Sequence, residues 1–139
     1  DAQANDPQLD AIAEHGSETL LLVDDEADFL DAGREMLTMI GYSVIAAESG
    51  EQAVRLFRDH HDAIDLVIMD MIMPGMGGGE TFDRLKKINP EIKVLLSSGY
   101  SINGQASQIL DRGCDGFIQK PFTLNQLSQK LSDILQKTP

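Results

Sequence analysis

Several short apolar runs in this sequence end in side chains that can do chemistry together. The set comprises three carboxylates, one hydroxyl and one ammonium: Asp24, Asp25, Asp70, Ser98 and Lys120. Carboxylates held close together raise one another's pKa, and a divalent cation with oxygen ligands relieves their repulsion. A carboxylate can also be a nucleophile, with metal, ammonium and hydroxyl groups neutralising a transferred phosphoryl group. The residue types therefore favour Mg²⁺-dependent phosphoryl transfer to an aspartate.

The residue types also suggest a role for each group. Asp70 is the predicted nucleophile; Asp25 and Asp70 are predicted to bind Mg²⁺ directly, and Asp24 through a water molecule. Lys120 can pair with Asp70 and later with a phosphoryl oxygen, to which the Ser98 hydroxyl can also donate. Taken singly, each group has an ordinary explanation, such as acids at a helix start or a serine at a strand end. The prediction therefore depends on all five groups meeting at one place.

The apolar pattern predicts the elements that would bring these groups together. Strands are predicted at residues 19–23, 43–47, 66–69, 93–97 and 116–119. Helices are predicted at residues 27–40, 51–60, 79–88, 104–112 and 124–136. Strands that are apolar on both faces are typical of a parallel sheet covered by helices on both sides. We therefore expect one α/β domain, a three-layer, doubly wound (βα)5 fold with a five-stranded parallel sheet, whose ligands bind beyond the carboxyl ends of the strands.

Composition narrows the class of partner. The 139 residues carry a net charge of -12, which opposes binding to nucleic acid and to anionic membranes. One cysteine, Cys114, rules out an internal disulfide and suits a reducing compartment. No apolar stretch reaches the ~20 residues of a membrane span, and the acidic start is unlike a signal peptide. We therefore expect a cytoplasmic domain with no membrane contact of its own.

The N-terminal residues differ from the rest of the chain. Residues 1–18 are polar and interrupted by Pro7 and Gly16, which predicts a linker or disordered segment before a domain at 19–137. The sequence also begins with Asp1 rather than methionine. This start suggests a piece of a longer or processed protein.

Four motifs give the chain a resemblance to response-regulator receiver domains of two-component systems, over residues 19–136, which implies the flavodoxin-like form of the (βα)5 fold. They are Leu-Leu-Val-Asp-Asp-Glu (21–26), Val-Ile-Met-Asp-Met-Ile-Met-Pro-Gly-Met-Gly-Gly (67–78), Val-Leu-Leu-Ser-Ser-Gly (94–99) and Phe-Ile-Gln-Lys-Pro-Phe (117–122). The resemblance implies that Asp70 accepts a phosphoryl group from the phosphohistidine of a histidine kinase or a histidine phosphotransfer protein. It implies that the backbone carbonyl of Ile72 completes the Mg²⁺ site, and that a cis peptide bond joins Lys120 to Pro121.

The same resemblance implies a switch. Ser98 would close on the phosphoryl group and Phe117 would turn inward, which would alter the surface of the fourth helix, fifth strand and fifth helix. A partner, or a second copy of the chain in a homodimer, would dock there. The domain would then be a phosphoacceptor rather than a conventional enzyme. Residues 16–26 and 97–100 are most similar to receivers at the C-terminal end of hybrid sensor histidine kinases, so the parent chain would be a kinase that can be membrane-anchored.

The sequence departs from the commonest receiver pattern beside the acceptor. Serine replaces the usual threonine at Ser98, Gly99 replaces a frequent alanine, and Ile72 and Tyr100 occupy positions that are often polar. We expect Ile72 and Tyr100 to hinder the attacking water and to slow autodephosphorylation. Alternatives to the hybrid-kinase receiver are a degenerate receiver that only docks proteins, a stand-alone response regulator, and a small phosphatase with an aspartate nucleophile. A phosphatase of that kind usually has a second aspartate where this chain has Ile72.

Overall fold

Strands and helices alternate along the chain in the order that the apolar pattern predicts. A computed structural model of the chain describes residues 18–99 and 104–136, which contain five strands and five helices. The strands are β1 (Thr19–Val23), β2 (Ser43–Ala47), β3 (Leu66–Asp70), β4 (Lys93–Ser98) and β5 (Gly116–Gln119). The helices are α1 (Ala27–Ile40), α2 (Gly50–His60), α3 (Gly78–Ile88), α4 (Gly104–Asp111) and α5 (Leu124–Leu135). Residues 1–17 of the predicted linker, Tyr100 and the last residue of the predicted domain lie outside the described ranges.

The observed element bounds differ from the predicted ones by one residue at most. The helices α2 and α3 begin one residue earlier, while α4 and α5 end one residue earlier. The strands β3 and β4 each extend one residue further, to Asp70 and Ser98. Two of the candidate site residues are thus the last residues of their strands, which ties their position directly to the sheet.

The five strands form one parallel sheet in the order β2-β1-β3-β4-β5. Strand β1 therefore lies beside β3, with Val23 opposite Met69, and β3 lies beside β4, with Asp70 opposite Ser97. Every residue of the central strand β3 is buried. This is the predicted doubly wound, flavodoxin-like arrangement, and the carboxyl ends of all five strands face one edge of the sheet, which we call the carboxyl edge.

Two apolar layers cover the faces of the sheet. Phe57, Phe82 and Ile109 of α2, α3 and α4 pack on one face. On the other face, Leu37 of α1 and Leu131 of α5 pack against the sheet. Burial of these side chains from both faces supplies the main driving force for the fold. No helix in the described residues is long and apolar enough to cross a membrane.

Local signals fix the ends of several helices. Gly41 ends α1 with a φ of 114°, a left-handed conformation that glycine adopts without strain. Ser49 caps α2 by accepting a hydrogen bond from the Gln52 N–H at 3.1 Å. Thr123 and Gln126 form a capping box at the start of α5, so this helix begins just after the Lys120 segment.

The opposite edge of the sheet, which we call the amino edge, uses two aspartates to join strands. Asp65, just before β3, accepts the Thr19 N–H at 2.8 Å, and its own N–H donates to the Thr19 carbonyl at 2.8 Å. Asp115, just before β5, pairs with Val94 in the same way, at 2.8 and 3.0 Å. Each carboxylate thus supplies a hydrogen-bond acceptor where the backbone ladder begins.

Candidate functional site

Three carboxylates meet at the carboxyl edge. One oxygen of each of Asp24, Asp25 and Asp70 lies within 4.8 Å of the others. Asp24 is fully buried, Asp70 is 7% exposed and Asp25 is exposed. The three groups meet because β1 and β3 are neighbours in parallel register, so the residues that end them lie side by side. The structure therefore brings together the three acids that the sequence predicts.

Asp24 is held by protein groups at both carboxylate oxygens. Its Oδ1 accepts the Glu26 N–H at 2.9 Å, and its Oδ2 accepts a hydrogen bond from the Lys120 ammonium at 2.5 Å. Its own N–H donates to the Ala47 carbonyl at 3.1 Å. The burial of this charge is therefore compensated by a backbone donor and a cation, as buried carboxylates require.

Lys120 reaches the site from the end of β5. Its backbone N–H donates to the Ser98 carbonyl at 2.7 Å, and its ammonium lies 3.3 Å from Asp70 Oδ1. The Lys120–Pro121 peptide bond is cis, as the receiver resemblance implies. Burial lowers the pKa of Lys120, but the hydrogen bond that its ammonium donates to Asp24 and the charge of Asp70 outweigh this effect, so the pKa is raised overall. The side chain is therefore a cation at neutral pH.

Asp70 is the electrostatically frustrated member of the site. Burial raises its pKa from 3.8 to about 6; Lys120 opposes the rise, whereas the charges of Asp24 and Asp25 add to it. Asp70 is still largely ionised at pH 7. Three clustered carboxylates facing one ammonium leave excess negative charge, which a divalent cation with oxygen ligands would neutralise. The donor set therefore fits Mg²⁺.

A cavity of about 430 Å³ lies over these groups. Its lining is Asp25, Glu26, Asp70, Ile72, Ser98, Gly99 and Lys120. Ser98 is 1% exposed, whereas Ile72 is 50% exposed at the margin of the cavity. A Cβ placed on Gly99 would meet no atom within 4 Å, so the space beside it is open. The cavity thus gives a small tetrahedral group access to Asp70, Ser98 and Lys120 together.

Phe117 lies one strand away from the carboxylates. It is half-buried on β5, opposite Leu96 of β4, and packs against the apolar cluster on the α2–α4 face. It also lines a separate groove of about 560 Å³ between β5 and α5. Its inward turn on phosphorylation, which the resemblance implies, stays a prediction.

Two residues near the acidic cluster have surroundings that the sequence pattern does not predict. Glu26 lines the cavity and is also the N-cap of α1, while Phe29 is predicted only as an apolar helix position. The Phe29 ring lies 4.1 Å from Lys120 Nζ. The sequence shows that Phe29 lies in the first helical turn after Asp24 and Asp25, and so near the acidic cluster. It does not show the contact with Lys120, which depends on the path of the chain after β5.

Known protein sequences that are similar to this chain bear on the interpretation of this site. The family model described as "Response regulator receiver domain" matches residues 20–132. The sensor kinase CckA of Brucella abortus is 35% identical over 122 residues, which are 88% of this chain and 13% of that protein. The autoinducer 1 sensor kinase/phosphatase LuxN of Vibrio campbellii is 34% identical over 87% of this chain and 14% of its own length. The chain thus spans a small part of these curated relatives.

Solved structures show the same fold. A response regulator receiver domain protein from Clostridium thermocellum superposes with a TM-score of 0.82 and 28% identity, over 86% of this chain and 94% of the other. A complex of CheX, CheY, BeF3 and Mg²⁺ from Borrelia burgdorferi contains a chain with a TM-score of 0.83 and 25% identity, over 89% and 93%. Both likenesses span nearly the whole of the matched chains.

Proposed function

We propose that this chain, which belongs to the response regulator receiver domain family, accepts a phosphoryl group on Asp70 from a phosphohistidine in a Mg²⁺-dependent reaction. It is a receiver domain of two-component signal transduction, homologous to CheY and to regions of sensor kinases. The observation that carries the proposal is the position of Asp70. It forms part of a cavity that it shares with Ser98 and Lys120, beside two more carboxylates.

The proposed chemical step is a single displacement at phosphorus. A carboxylate oxygen of Asp70 attacks the phosphorus, the new O–P bond forms and the P–N bond of the phosphohistidine breaks. The imidazole nitrogen leaves with the electron pair and takes a proton from water. Lys120 donates to one phosphoryl oxygen and the Ser98 hydroxyl to another, which stabilises the charge of the transition state.

The hydrogen bonds that the carboxylate oxygens already accept indicate which residues would hold Mg²⁺ directly. Asp25, Asp70 and the backbone carbonyl of Ile72 would bind the ion directly. Asp24 would act through water, since Glu26 and Lys120 already donate to its two oxygens. A bound Mg²⁺ supplies charge neutralisation at the carboxylates and at the phosphoryl oxygens. The related Borrelia burgdorferi complex, which contains Mg²⁺ and beryllium fluoride, supports the binding of Mg²⁺ but does not identify its ligands.

Acetyl phosphate tests the proposal without a partner kinase. The wild-type chain incubated with acetyl phosphate and Mg²⁺ should gain one phosphoryl group by intact mass, and the gain should disappear with EDTA. Asp70→Asn should gain none, whereas Asp65→Asn, which changes an aspartate at the amino edge, should behave as wild type. A wild-type chain that gains no phosphoryl group and binds no beryllofluoride would instead fit a module that only docks proteins.

The proposed output is a change in the surface formed by α4, β5 and α5. Phosphorylation would draw Ser98 toward the phosphoryl group and Phe117 inward, and a partner or a second copy would dock on the altered face. Amide chemical shifts recorded with and without beryllofluoride should change most along α4, β5 and α5. Sedimentation of the same samples tests the homodimer. Changes confined to the loops around Asp70 would contradict the switch.

We propose that the chain is the C-terminal receiver of a hybrid sensor histidine kinase, with the receiver in the cytoplasm and a parent protein that can be membrane-anchored. The support is that CckA and LuxN, both named as sensor kinases, are among the similar proteins. The complete reading frame around these residues tests this placement. A histidine-kinase catalytic domain in the same frame agrees with it, and a frame that encodes a receiver alone contradicts it.

Ile72 is proposed to slow loss of the phosphoryl group by hindering the attacking water. Its side chain lines the cavity and is half-exposed at the margin. Tyr100, its predicted companion, lies outside the described residues. The phosphoryl half-life should shorten in an Ile72→Asn, Tyr100→Glu double variant and stay constant in Met39→Asn, which changes an exposed methionine on α1. An unchanged half-life in the double variant contradicts the proposal.

A further inference from the structure

The ammonium of Lys120 has an aromatic neighbour as well as its two carboxylate partners. The Phe29 ring of α1 faces it, with the Nζ atom 4.1 Å from the ring centroid. The Lys120 side chain is 14% exposed, so the contact is largely shielded from water. A cation over the face of an aromatic ring is attracted by the negative face of the ring, and more strongly when it is desolvated.

A second aromatic ring holds Phe29 in place. The Phe122 ring meets it edge to face, with centroids 5.7 Å apart and an interplanar angle of 90°. Both rings are half-buried and pack against the apolar cluster on the α1 and α5 face. Phe122 lies two residues after Lys120, so the same segment supplies the ammonium and the ring that orients Phe29.

The three partners of the ammonium have different geometric demands. Asp24 and Asp70 are acceptors toward which an N–H must point. A ring face has no single acceptor direction, so the ammonium can shift across it without losing the attraction. This matters for phosphoryl transfer, since Lys120 must turn from Asp70 to a phosphoryl oxygen as the O–P bond forms.

We infer that Phe29, braced by Phe122, is a positioning residue for Lys120: its ring keeps the ammonium beside the acceptor while Lys120 moves from Asp70 to the phosphoryl group. This inference rests on the proposed function, because it assigns Phe29 a part in the same reaction. Phe29 does not touch the reacting atoms; it acts through Lys120.

Beryllofluoride affinity at saturating Mg²⁺ measures the effect. Phe29→Leu keeps an apolar side chain but removes the ring, and should weaken binding by about 3- to 10-fold. Phe29→Tyr keeps the ring and should bind within about 2-fold of wild type. Met36→Leu, a change at another half-buried position of α1, is the matched control and should bind as wild type.

A double-mutant cycle separates positioning from general packing. In a Lys120→Met background, Phe29→Leu should cause no further loss of beryllofluoride affinity, since the ring has no ammonium to hold. Equal losses in both backgrounds would mean that Phe29 only supports the fold, and would overturn the inference.

The side-chain protons of Lys120 give a readout that does not need beryllofluoride binding. The ring current should shift them upfield in wild type and in Phe29→Tyr but not in Phe29→Leu, and identical shifts in all three would also overturn it.

The two failures are distinguishable. If the wild-type chain binds no beryllofluoride with Mg²⁺, the proposed function fails, and the role of Phe29 fails with it. If the wild type binds and Phe29→Leu binds equally well, the proposed function stands and the inference alone is wrong.

Discussion

The two edges of the sheet use the same side chain in opposite ways. At the amino edge, Asp65 and Asp115 stand apart, and each accepts the backbone N–H of a residue on a neighbouring strand. At the carboxyl edge, Asp24, Asp25 and Asp70 crowd within 4.8 Å of one another. The aspartates therefore complete backbone hydrogen bonding between strands at the amino edge, whereas at the carboxyl edge they form a cluster of negative charge.

The difference lies in the partners rather than in the residue. A carboxylate that accepts a backbone N–H stabilises the fold, because both groups are satisfied. Asp70 has two carboxylates and one ammonium around it, and burial with those like charges raises its pKa to about 6. We therefore expect the aspartates of the amino edge to stabilise the fold. We expect the clustered carboxylates of the carboxyl edge to destabilise it, because they are placed for phosphoryl transfer rather than for stability. Four changes test this contrast, in order of decreasing effect.

Removal of the Lys120 ammonium should have the largest effect on stability. Lys120→Met leaves the fully buried Asp24 without its cation. Loss of one partner of a buried pair costs on the order of 3–5 kcal/mol, so the urea midpoint at pH 7 in EDTA should fall sharply. A second change, Asp24→Asn, should recover part of the loss. If Lys120→Met in EDTA is as stable as the wild type, the Lys120 ammonium does not relieve charge repulsion among the carboxylates of the carboxyl edge.

Neutralisation of Asp70 should stabilise the protein at neutral pH. The pKa of Asp70 is raised in the folded state, so its charge opposes folding above pH 6, and that cost fades as the pH falls from about 6 to about 4. In EDTA at pH 7.5, Asp70→Asn should be more stable than wild type by about 3 kcal/mol, the free energy that corresponds to the raised pKa. The advantage should shrink through this pH range and disappear near pH 4. Urea midpoints measured across the range give the profile.

Two comparisons test whether the charge of Asp70 causes this dependence of stability on pH. The same comparison for Asp25→Asn should give a smaller effect, because Asp25 is exposed to water. Saturating Mg²⁺ should reduce the advantage of Asp70→Asn, since the ion stabilises the wild-type carboxylates. An advantage of Asp70→Asn that persists unchanged to pH 4 would show that its cause is not the charge of Asp70.

The carboxyl edge was predictable from the sequence, whereas much of the amino edge was not. Asp24, Asp25, Asp70 and Lys120 follow apolar runs, and the ends of parallel strands must meet at one edge. Asp115 follows no such run, and its role appears only once β4 and β5 are paired in register. Apolar periodicity predicts the strands, but not which strand lies beside which.

The side-chain contacts within the site could not be predicted from the sequence pattern either. The two hydrogen bonds of Asp24 and the Phe29 ring over Lys120 depend on side-chain rotamers and on how the segment after β5 returns. An apolar residue in the first turn of a helix is ordinary core by its pattern alone. Its contact with a cation is a property of packing.

Loss of the Asp115 carboxylate should destabilise the protein without affecting phosphoryl uptake. Asp115→Ala leaves the Val94 N–H without the acceptor that it has at 2.8 Å in a partly buried setting. We expect a loss of about 1–2 kcal/mol, while Asp115→Asn, which retains an acceptor oxygen, should lose less. Urea unfolding gives the stability, and acetyl phosphate labelling with Mg²⁺ gives the uptake. Reduced uptake at equal fraction folded would show that the two edges are coupled.

Asp65 offers the weakest test, because its hydrogen bond to the Thr19 N–H is exposed to solvent. Water can replace the carboxylate there, so Asp65→Ala should cost only about 0.5 kcal/mol, less than Asp115→Ala. Hydrogen exchange gives a local measurement: the Thr19 amide should lose protection in Asp65→Ala, while the Leu21 amide in the middle of β1 should keep it. Equal losses at both amides would mean that Asp65 supports the whole strand rather than its first residue. The amino edge would then hold the sheet more tightly than its two separate carboxylates indicate.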